Sequence, residues 1–357
     1  MNAVTNAATG ALALEQEDVR QEASCQDAPP PPDAGSGPRE LAALEQRLER
    51  ARALGVRLRA GLEEVIHGQD EILEHVVTAL LAGGHVLLEG APGLGKTQIV
   101  RTLSELVEGR FSRIQFTPDL MPSDVLGTSL VVTDASGAKE LSYRPGPIFA
   151  NLVLADEINR ATPKTQSALL EAMAERTVSV EGRARPLPRP FFVLATENPI
   201  EMEGVFPLPE AQLDRFLMKL VLRMPDLETL ARIGARAEEP AVPIAVTTPA
   251  ELCAAQATAR AIPSAPHVQR FAAALVLETH RPVEVRYGAG PRAVQALMAA
   301  GRVRALLAGR AAVAIEDLRR VAPAVIAHRL VLGFEAEAQG LDAARFVEQA
   351  LERTPEG

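Results

Sequence analysis

The chain has 357 residues, of which 47% are apolar and 23% are charged, and its formal net charge is −9. Collagen-like, wholly disordered and coiled-coil classes are excluded, and the length suggests two domains or one large one, because single cores rarely grow past ~250 residues. The acidic balance argues against a surface that coats DNA. No apolar run approaches the ~20 residues of a membrane-spanning helix, and the N-terminus lacks a secretion-signal pattern, so we expect a cytoplasmic protein without a membrane span.

The N-terminal region divides into a tail and two helices. Residues 1–38 show no apolar periodicity and contain four consecutive prolines at 29–32, which predicts a disordered tail. From Arg39 onward, leucines recur at the spacing of one helix face. A second helix is predicted over 69–81, ending at Gly83 and Gly84.

The middle of the chain repeats a unit of apolar strand, loop and helix. The five predicted strands are 85–89, 112–116, 152–156, 191–196 and 217–222. Their continuous apolar character suits strands that are buried on both faces. The pattern predicts an α/β fold in which a parallel five-stranded sheet lies between two layers of helices.

Two hairpins interrupt this alternation. The first is predicted from residues 130–133 and 140–143, which flank Asp134–Gly137. The second begins with 177–180 and turns at Glu181 and Gly182. Its return arm carries Pro186, Pro188 and Pro190, whose missing N–H groups would face one side, so we expect an edge strand there.

The C-terminal region changes character at Asp226, after which helices dominate, including those predicted over 291–307 and 315–327. We therefore expect three parts. These are a tail over 1–38, a core over 39–225 with two hairpin insertions, and a small all-helical domain over 226–357.

A glycine-rich loop follows the first predicted strand and matches the pattern GxxxxGK[ST]. Its residues are Gly90, Ala91, Pro92, Gly93, Leu94, Gly95, Lys96 and Thr97. Such a loop curls backbone N–H groups around phosphate oxygens, and the N-terminus of the next helix adds positive potential. Lys96 would reach the β- and γ-phosphates, and the Thr97 hydroxyl would ligate Mg²⁺. An ordinary glycine turn is the alternative interpretation.

Polar side chains end the next two buried strands. Asp156 can hold Mg²⁺ at the carboxyl end of its strand, and the adjacent Glu157 can polarise the attacking water. Asn198 follows the next strand and lies beside this pair if the two strands are neighbours. Otherwise the Asn198-Pro199 dipeptide is only a turn signal.

Two arginines are candidates for contact with phosphate, namely Arg215 and Arg292. Pro291 suits the first position of a helix, which places Arg292 in the first turn. In a chain with many arginines, a solvent-facing side chain is a serious alternative for each.

The sequence resembles the MoxR-type AAA+ ATPases from about Arg39 to Glu352. The matching segments are GGHVLLEGAPGLGKT (83–97), RIQFTPDLMPSD (113–124), RPGP (144–147), ADEINRA (155–161), KTQSALLEAM (164–173) and PLPEAQLDRF (207–216). The resemblance implies a P-loop AAA+ core of three αβα layers followed by a helical lid. It also implies ATP and Mg²⁺ as ligands.

The resemblance also implies roles for individual residues. Asn198 resembles the first sensor, Arg215 the arginine finger given to a neighbouring subunit, and Arg292 the second sensor in the lid. The segment His67-Gly68-Gln69 resembles the one whose backbone meets the adenine. Two positions depart from the family pattern. Glu197 stands where glutamine is more frequent, adding a negative charge near the phosphates, and Gly290 stands where serine is more frequent.

Three functions are compatible with these features. The first is an ATP hydrolase that works as a homo-oligomeric ring, expected to be a hexamer, and remodels a protein partner or matures a metal cofactor. Related proteins are often paired with clients that carry a von Willebrand factor A domain. The second is a nucleotide-gated binding scaffold whose turnover is incidental. The third is a nucleic-acid motor, which the acidic charge and the lack of interleaved aromatic residues disfavour.

Overall fold

The computed structural model describes residues 38–133, 138–199, 204–236 and 243–356. The tail predicted over 1–38 therefore lies outside the described residues except for Pro38, and so does the turn Asp134–Gly137 of the first hairpin. In the described part of the chain, no helix combines the length and the apolar character that a membrane span requires.

Two N-terminal helices precede the sheet, as predicted. Helix α1 spans Pro38–Val65 and buries Leu54, Leu58 and Leu62 at helical spacing. Helix α2 spans Asp70–Ala82 and ends at Gly83, whose φ of 71° lies in the left-handed region that favours glycine.

The central sheet has five parallel strands, and the predicted topology class is confirmed. The strands are β1 (Val86–Glu89), β2 (Phe111–Gln115), β5 (Leu152–Asp156), β8 (Phe192–Glu197) and β9 (Met218–Val221), in the spatial order β2-β5-β8-β1-β9. Because all four pairings are parallel, the carboxyl ends of the strands share one edge of the sheet.

Both hairpins are present, each as a separate two-stranded sheet. Strands β3 (Gly127–Thr133) and β4 (Lys139–Pro145) pair along their full length and expose Leu130, Val131 and Leu141. Strands β6 (Thr177–Val180) and β7 (Arg183–Pro186) form the second.

The prediction for the three prolines of the return arm is only partly right. Pro186 pairs with Thr177 in a sheet that has no further strand among the described residues, as expected of an edge. Pro188 and Pro190 lie beyond the end of β7. Beyond Pro186, the Leu187 N–H still donates to the Arg176 carbonyl at 3.0 Å, whereas Pro188 and Pro190 have no N–H with which to extend the pairing.

The remaining helices flank the sheet or form the C-terminal part of the chain. They are α3 (Lys96–Leu106), α4 (Pro122–Leu126), α5 (Pro163–Glu175), α6 (Glu210–Leu213), α7 (Leu227–Arg236), α8 (Pro249–Arg260), α9 (Pro266–Glu278), α10 (Pro291–Leu307), α11 (Ile315–Ile326), α12 (Phe334–Ala338) and α13 (Ala343–Arg353). Many of these helices begin at a proline, whose fixed φ suits the first helical position.

The C-terminal part needs one correction, because it is not entirely helical. Strands β10 (Val285–Tyr287) and β11 (Val331–Leu332) form a short antiparallel ribbon within it. Strands of three and two residues are too short to show an alternating apolar pattern, so the sequence carried no signal for them.

The two faces of the sheet bury separate hydrophobic clusters. Val86 and Leu88 of β1 pack with α1, α2, α3 and the C-terminal helices, whereas Leu87 packs on the opposite face with α5 and Phe216. This alternation defines the three layers of the α/β fold. The first cluster is continuous across residue 226, and the domain boundary expected there stays a prediction.

Buried charges also join the C-terminal helices to the core. The Glu74 carboxylate of α2, whose side chain is only 11% exposed, contacts Arg304 of α10 and Arg59 of α1. The Arg329 guanidinium is almost fully buried and donates to Asp214 Oδ1 at 2.8 Å and to the Phe216 carbonyl at 2.7 Å. Removing one partner from such a pair leaves a buried charge unpaired, so each contact requires both partners where the C-terminal part meets the core.

His85 makes the stability of the fold depend on pH. Its Nδ1 accepts the Val193 N–H at 3.0 Å, and its Nε2 lies 3.3 Å from the Met173 carbonyl. Burial, together with the nearby charge of Arg176, lowers the pKa of His85 to about 4. The unfolded chain takes up this proton near pH ~6.5, so stability is present above that pH and is lost as pH falls toward the folded pKa.

We expect His85→Asn to flatten this pH dependence, because asparagine can accept the Val193 N–H but does not titrate. Between about pH 6.5 and about pH 5, the wild-type chain should lose about 2 kcal/mol more free energy of unfolding than the variant. Urea unfolding at several pH values measures the difference. Parallel losses in the two proteins would show that His85 is not the group responsible.

Candidate nucleotide-binding site

The order of the strands brings the predicted site segments together. Strand β8 lies between β1 and β5, so Asn198 follows a strand that separates the glycine loop from the acidic pair. The strands that lead to Asn198 and to the acidic pair are therefore neighbours, since Leu152 of β5 pairs with Phe192 of β8, and the role of Asn198 stays a prediction. Asn198 is itself buried.

The glycine loop has an open inner surface. Gly93 and Gly95 have φ values of 83° and 88°, and a Cβ on either would meet no heavy atom within 4 Å. The Lys96 ammonium donates to the carbonyls of Gly90 and Glu197, the latter at 3.1 Å. Thr97 is exposed in the first turn of α3. The loop thus presents a cation and a helix N-terminus to an open cradle, which suits a phosphate group.

Asp156 is oriented by two side chains that the sequence interpretation missed. Its Oδ1 accepts from Thr196 Oγ1 at 2.7 Å, and its Oδ2 accepts from Arg113 Nη2 at 2.6 Å and from Nε at 3.2 Å. Asp156 is thereby a buried carboxylate with both oxygens hydrogen-bonded. An ionised carboxylate has about four lone-pair sites, so capacity for a metal ion remains.

Glu157 adopts a strained backbone conformation. Its φ of 57° and ψ of 50° place a non-glycine residue in the left-handed region, which costs about 1 kcal/mol and is a feature of functional sites. Its N–H donates to Thr196 Oγ1 at 2.9 Å, and its Oε2 accepts from Gln115 and Arg160, each at 2.9 Å. One buried hydroxyl therefore positions both acidic residues.

The sequence pattern of β2 carries a partial signal for two of the missed side chains, Arg113 and Gln115. Arg113 and Gln115 alternate with the buried Ile114 along β2, so both project from the same side of this edge strand. Gln115 pairs in register with Asp156. If the strand order had been known, two polar residues at alternate positions of the strand beside Asp156 would have suggested contacts with the acidic pair.

Glu197 lies in a partly neutralised environment. Burial raises the pKa of Glu197, the Lys219 charge opposes this effect, and Glu89 reinforces it. Lys219 also forms an ion pair with Glu89 at 2.5 Å. The charge of Lys219 thus lies close to the extra negative charge expected at Glu197.

The predicted adenine segment lies at the same end of the sheet as the glycine loop. Gln69 Nε2 donates to the Arg223 carbonyl at 2.9 Å, just beyond β9, and Leu222 lies beside Gly90. Gly68 has a φ of 74°, and a Cβ there would lie 2.6 Å from Thr229 of α7. A cleft of about 460 Å³ adjoins this segment and is lined by Ala60, Glu63, Glu64, His67 and Arg232.

The two candidate arginines make contacts elsewhere in this structure. Arg215 Nη1 donates to the Leu170 carbonyl at 2.7 Å. Arg292 lies in the first turn of α10, as predicted, is 61% exposed and is 3.4 Å from Asp214 Oδ2. Contact of Arg215 or Arg292 with a phosphate therefore stays a prediction.

Comparison with known proteins identifies the class to which this fold and site belong. Residues 85–218 match the ATPase family associated with various cellular activities (AAA), and residues 277–350 match the AAA lid domain. A crystal structure of a candidate ATPase from Cytophaga hutchinsonii superposes with a TM-score of 0.80 at 35% identity, covering 88% of this chain and 98% of that one. The chain is built as an AAA ATPase domain followed by an AAA lid.

Individual relatives define the family more narrowly. The chain is 42% identical over 298 residues to a Bacillus subtilis protein named YeaC, which covers 81% of this chain and 91% of that protein. It is 41% identical over 304 residues to chaperone MoxR1 of Mycobacterium tuberculosis, which covers 82% and 79%. Protein MoxR of Methylorubrum extorquens is 32% identical over 308 residues, covering 79% and 88%. The chain belongs to the MoxR-type AAA+ ATPases.

We expect Thr196→Val to destabilise the folded protein, because valine has nearly the shape of threonine but lacks its hydroxyl. The substitution leaves Asp156 Oδ1 and the Glu157 N–H without their partner, which should lower the free energy of unfolding by about 1–3 kcal/mol. Thr78→Val is the matched control, because the equally buried Thr78 hydroxyl bonds only the Glu74 carbonyl of its own helix. Denaturant unfolding compares them, and equal losses would contradict the role of Thr196.

Proposed function

We propose that the protein binds ATP with Mg²⁺ at this sheet edge and hydrolyses it. The observation that carries the proposal is the convergence of an open glycine cradle with an acidic pair that a single buried threonine orients. Thr97 and Asp156 have oxygen donors of the kind that Mg²⁺ prefers, and Lys96 offers a cation to the phosphates. The residues present therefore fit the nucleotide and the metal.

In this proposal, individual residues have separate roles in binding and hydrolysis. The loop from Gly90 to Thr97 holds the phosphates, Glu157 orients a water and accepts its proton, and Asn198 assists in positioning it. When bound, Mg²⁺ neutralises charge that develops on the phosphate oxygens. Gly68 and Gln69 would meet the adenine. The protein contributes mainly positioning and charge stabilisation, as phosphoryl transfer requires.

The active form in this proposal is a homo-oligomeric ring, expected to be a hexamer. Arg215 would complete the site of a neighbouring subunit, and Arg292 would contact the γ-phosphate in its own. Loss of these contacts after hydrolysis would let the lid turn on the core and remodel a bound protein. Similarity to chaperone MoxR1 supports a protein client. We expect that client to carry a von Willebrand factor A domain and the protein to act in the cytoplasm.

One observation supports the scaffold alternative. Both acidic residues of the site are already hydrogen-bonded by side chains of β2, because Arg113 contacts Asp156 and Gln115 contacts Glu157. Such engagement would slow turnover until it is released. Slow hydrolysis that no partner accelerates, together with tight ATP-dependent binding of a partner, would favour a scaffold over a remodelling motor.

The arginines of the lid do not support a nucleic-acid motor. Six arginines make this region basic, and each has a partner within the described part of the chain, so four carboxylates offset part of their charge. The pairs are Arg302 with the Ile262 carbonyl, Arg304 and Arg320 with Glu74, Arg310 with Asp317, Arg319 with Glu356, and Arg329 with Asp214.

We expect Glu157→Gln to separate binding from turnover. Glutamine keeps the shape and can still hydrogen-bond to Gln115, but it cannot accept a proton. Nucleotide affinity should stay within about threefold of the wild type while kcat falls by about 10²-fold or more. Fluorescent-nucleotide titration and a phosphate-release assay measure the two quantities, and Glu105→Gln on the exposed face of α3 is the control. Undiminished turnover in Glu157→Gln would remove Glu157 from the mechanism.

A shared site between subunits is tested with Arg215→Ala. This variant should bind nucleotide normally but lose about 10³-fold in turnover, because the missing guanidinium stabilises charge only in the transition state. Mixing it with Glu157→Gln should restore measurable activity at interfaces that combine one intact Glu157 with one intact Arg215. Full turnover by Arg215→Ala alone would refute the shared-site arrangement.

A further inference from the structure

The side chain of Arg113 lies where it can control the metal site. Its guanidinium contacts Asp156 Oδ2 through two nitrogens, Nη2 at 2.6 Å and Nε at 3.2 Å. The two partners differ in exposure, since the Asp156 side chain is 9% exposed and that of Arg113 is 52% exposed. The carboxylate that is the candidate Mg²⁺ ligand therefore already has a cation from its own chain.

The positive charge of the guanidinium disfavours the binding of a metal ion at this position. An arginine side chain keeps its charge at any ordinary pH, so it cannot relieve the repulsion by losing a proton. Two cations that share one carboxylate repel each other, and the effect is large only at short range. A divalent ion at Asp156 must therefore share Oδ2 with Arg113 at a cost in free energy or displace it.

The Arg113 side chain is half exposed, so solvent is open to it if it leaves Asp156. Its exposed side reaches solvent without any rearrangement of the core, and its Nη2 also donates to Gln115 Oε1 at 3.0 Å. Meanwhile Thr196 holds Asp156 Oδ1 at 2.7 Å and would keep the carboxylate in place. The ion pair can therefore break by movement of the Arg113 side chain alone, while Asp156 stays in place.

We propose that Arg113 is a positioning residue that lowers the affinity of Asp156 for divalent cations until a triphosphate is bound. Without nucleotide, Arg113 occupies the carboxylate and keeps the metal out. A bound triphosphate attracts the guanidinium by its negative charge, weakens the Arg113–Asp156 ion pair and so frees the carboxylate for the metal. The inference rests on the proposed nucleotide site, and its main consequence concerns the nucleotide-free protein.

The test compares Mn²⁺ binding by Arg113→Gln and the wild type. Mn²⁺ is a suitable probe because its electron paramagnetic resonance signal is lost on binding. Without nucleotide, the variant should bind Mn²⁺ about tenfold more tightly, because the competing charge is gone. With a non-hydrolysable ATP analogue, the difference should shrink to about twofold, because Arg113 is already displaced in the wild type.

Two further variants show whether charge is the cause. Arg113→Lys keeps the charge but makes fewer contacts, so without nucleotide its affinity should lie between those of the wild type and Arg113→Gln. Arg101→Gln removes an exposed charge that pairs with Glu105 on α3, and should leave Mn²⁺ binding unchanged. Thermal unfolding followed by circular dichroism establishes that each variant is folded, and the lysine variant carries the test if the glutamine variant is not.

The outcomes separate this inference from the proposed function. Equal Mn²⁺ binding by wild type and Arg113→Gln without nucleotide, including no binding by either, would overturn the inference. Weaker binding by either Arg113 variant would also overturn it, since that result assigns Arg113 to holding Asp156 in shape. Failure of the wild-type protein to bind the ATP analogue would instead refute the proposed nucleotide site and leave the nucleotide-free comparison decisive for Arg113.

Discussion

The whole site depends on the position of β8 between β1 and β5. In this register Leu88 of β1 pairs with Thr196, and Ala155 of β5 pairs with Ala195. The Thr196 hydroxyl consequently reaches both Asp156 and the Glu157 N–H. On the other side, the Glu197 carbonyl accepts from Lys96 and from the Gly90 N–H. A single strand thus ties the glycine loop to the acidic pair, and a shift of one residue would turn the Thr196 side chain to the other face of the sheet.

The attachment of the lid combines an apolar surface with a few buried charges. Helices of the C-terminal part share a hydrophobic cluster with α1, α2 and α3. Asp214 accepts from Arg329, which is buried, and lies near Arg292, which is exposed. Arg215, the next residue, contacts the core helix α5. The Asp214 carboxylate, which Arg292 and Arg329 share, thus connects the C-terminal part to the segment that carries Arg215.

Local sequence patterns were sufficient to predict the secondary-structure elements that depend on residues close together in the chain. The five strands, the helix that begins at Pro291 and the end of α2 at Gly83 follow from apolar periodicity, from the fixed φ of proline and from the freedom of glycine. The same reasoning failed for β10 and β11, which are too short to carry a period. It also extended the return arm of the second hairpin past Pro186, where the Leu187 N–H makes one more hydrogen bond and Pro188 and Pro190 have no N–H to donate.

The sequence by itself determined the fold class, the glycine loop from Gly90 to Thr97 and the pair Asp156 and Glu157, because each is a contiguous pattern with its own chemical meaning. Only the tertiary structure decided which strands are neighbours and hence which side chains meet the acidic pair. Thr196 and Arg113 are about 40 residues from Asp156 along the chain, in both directions. Their contacts with Asp156 arise from parallel pairing across β2, β5 and β8, and this pairing is a property of the folded sheet that no local pattern encodes.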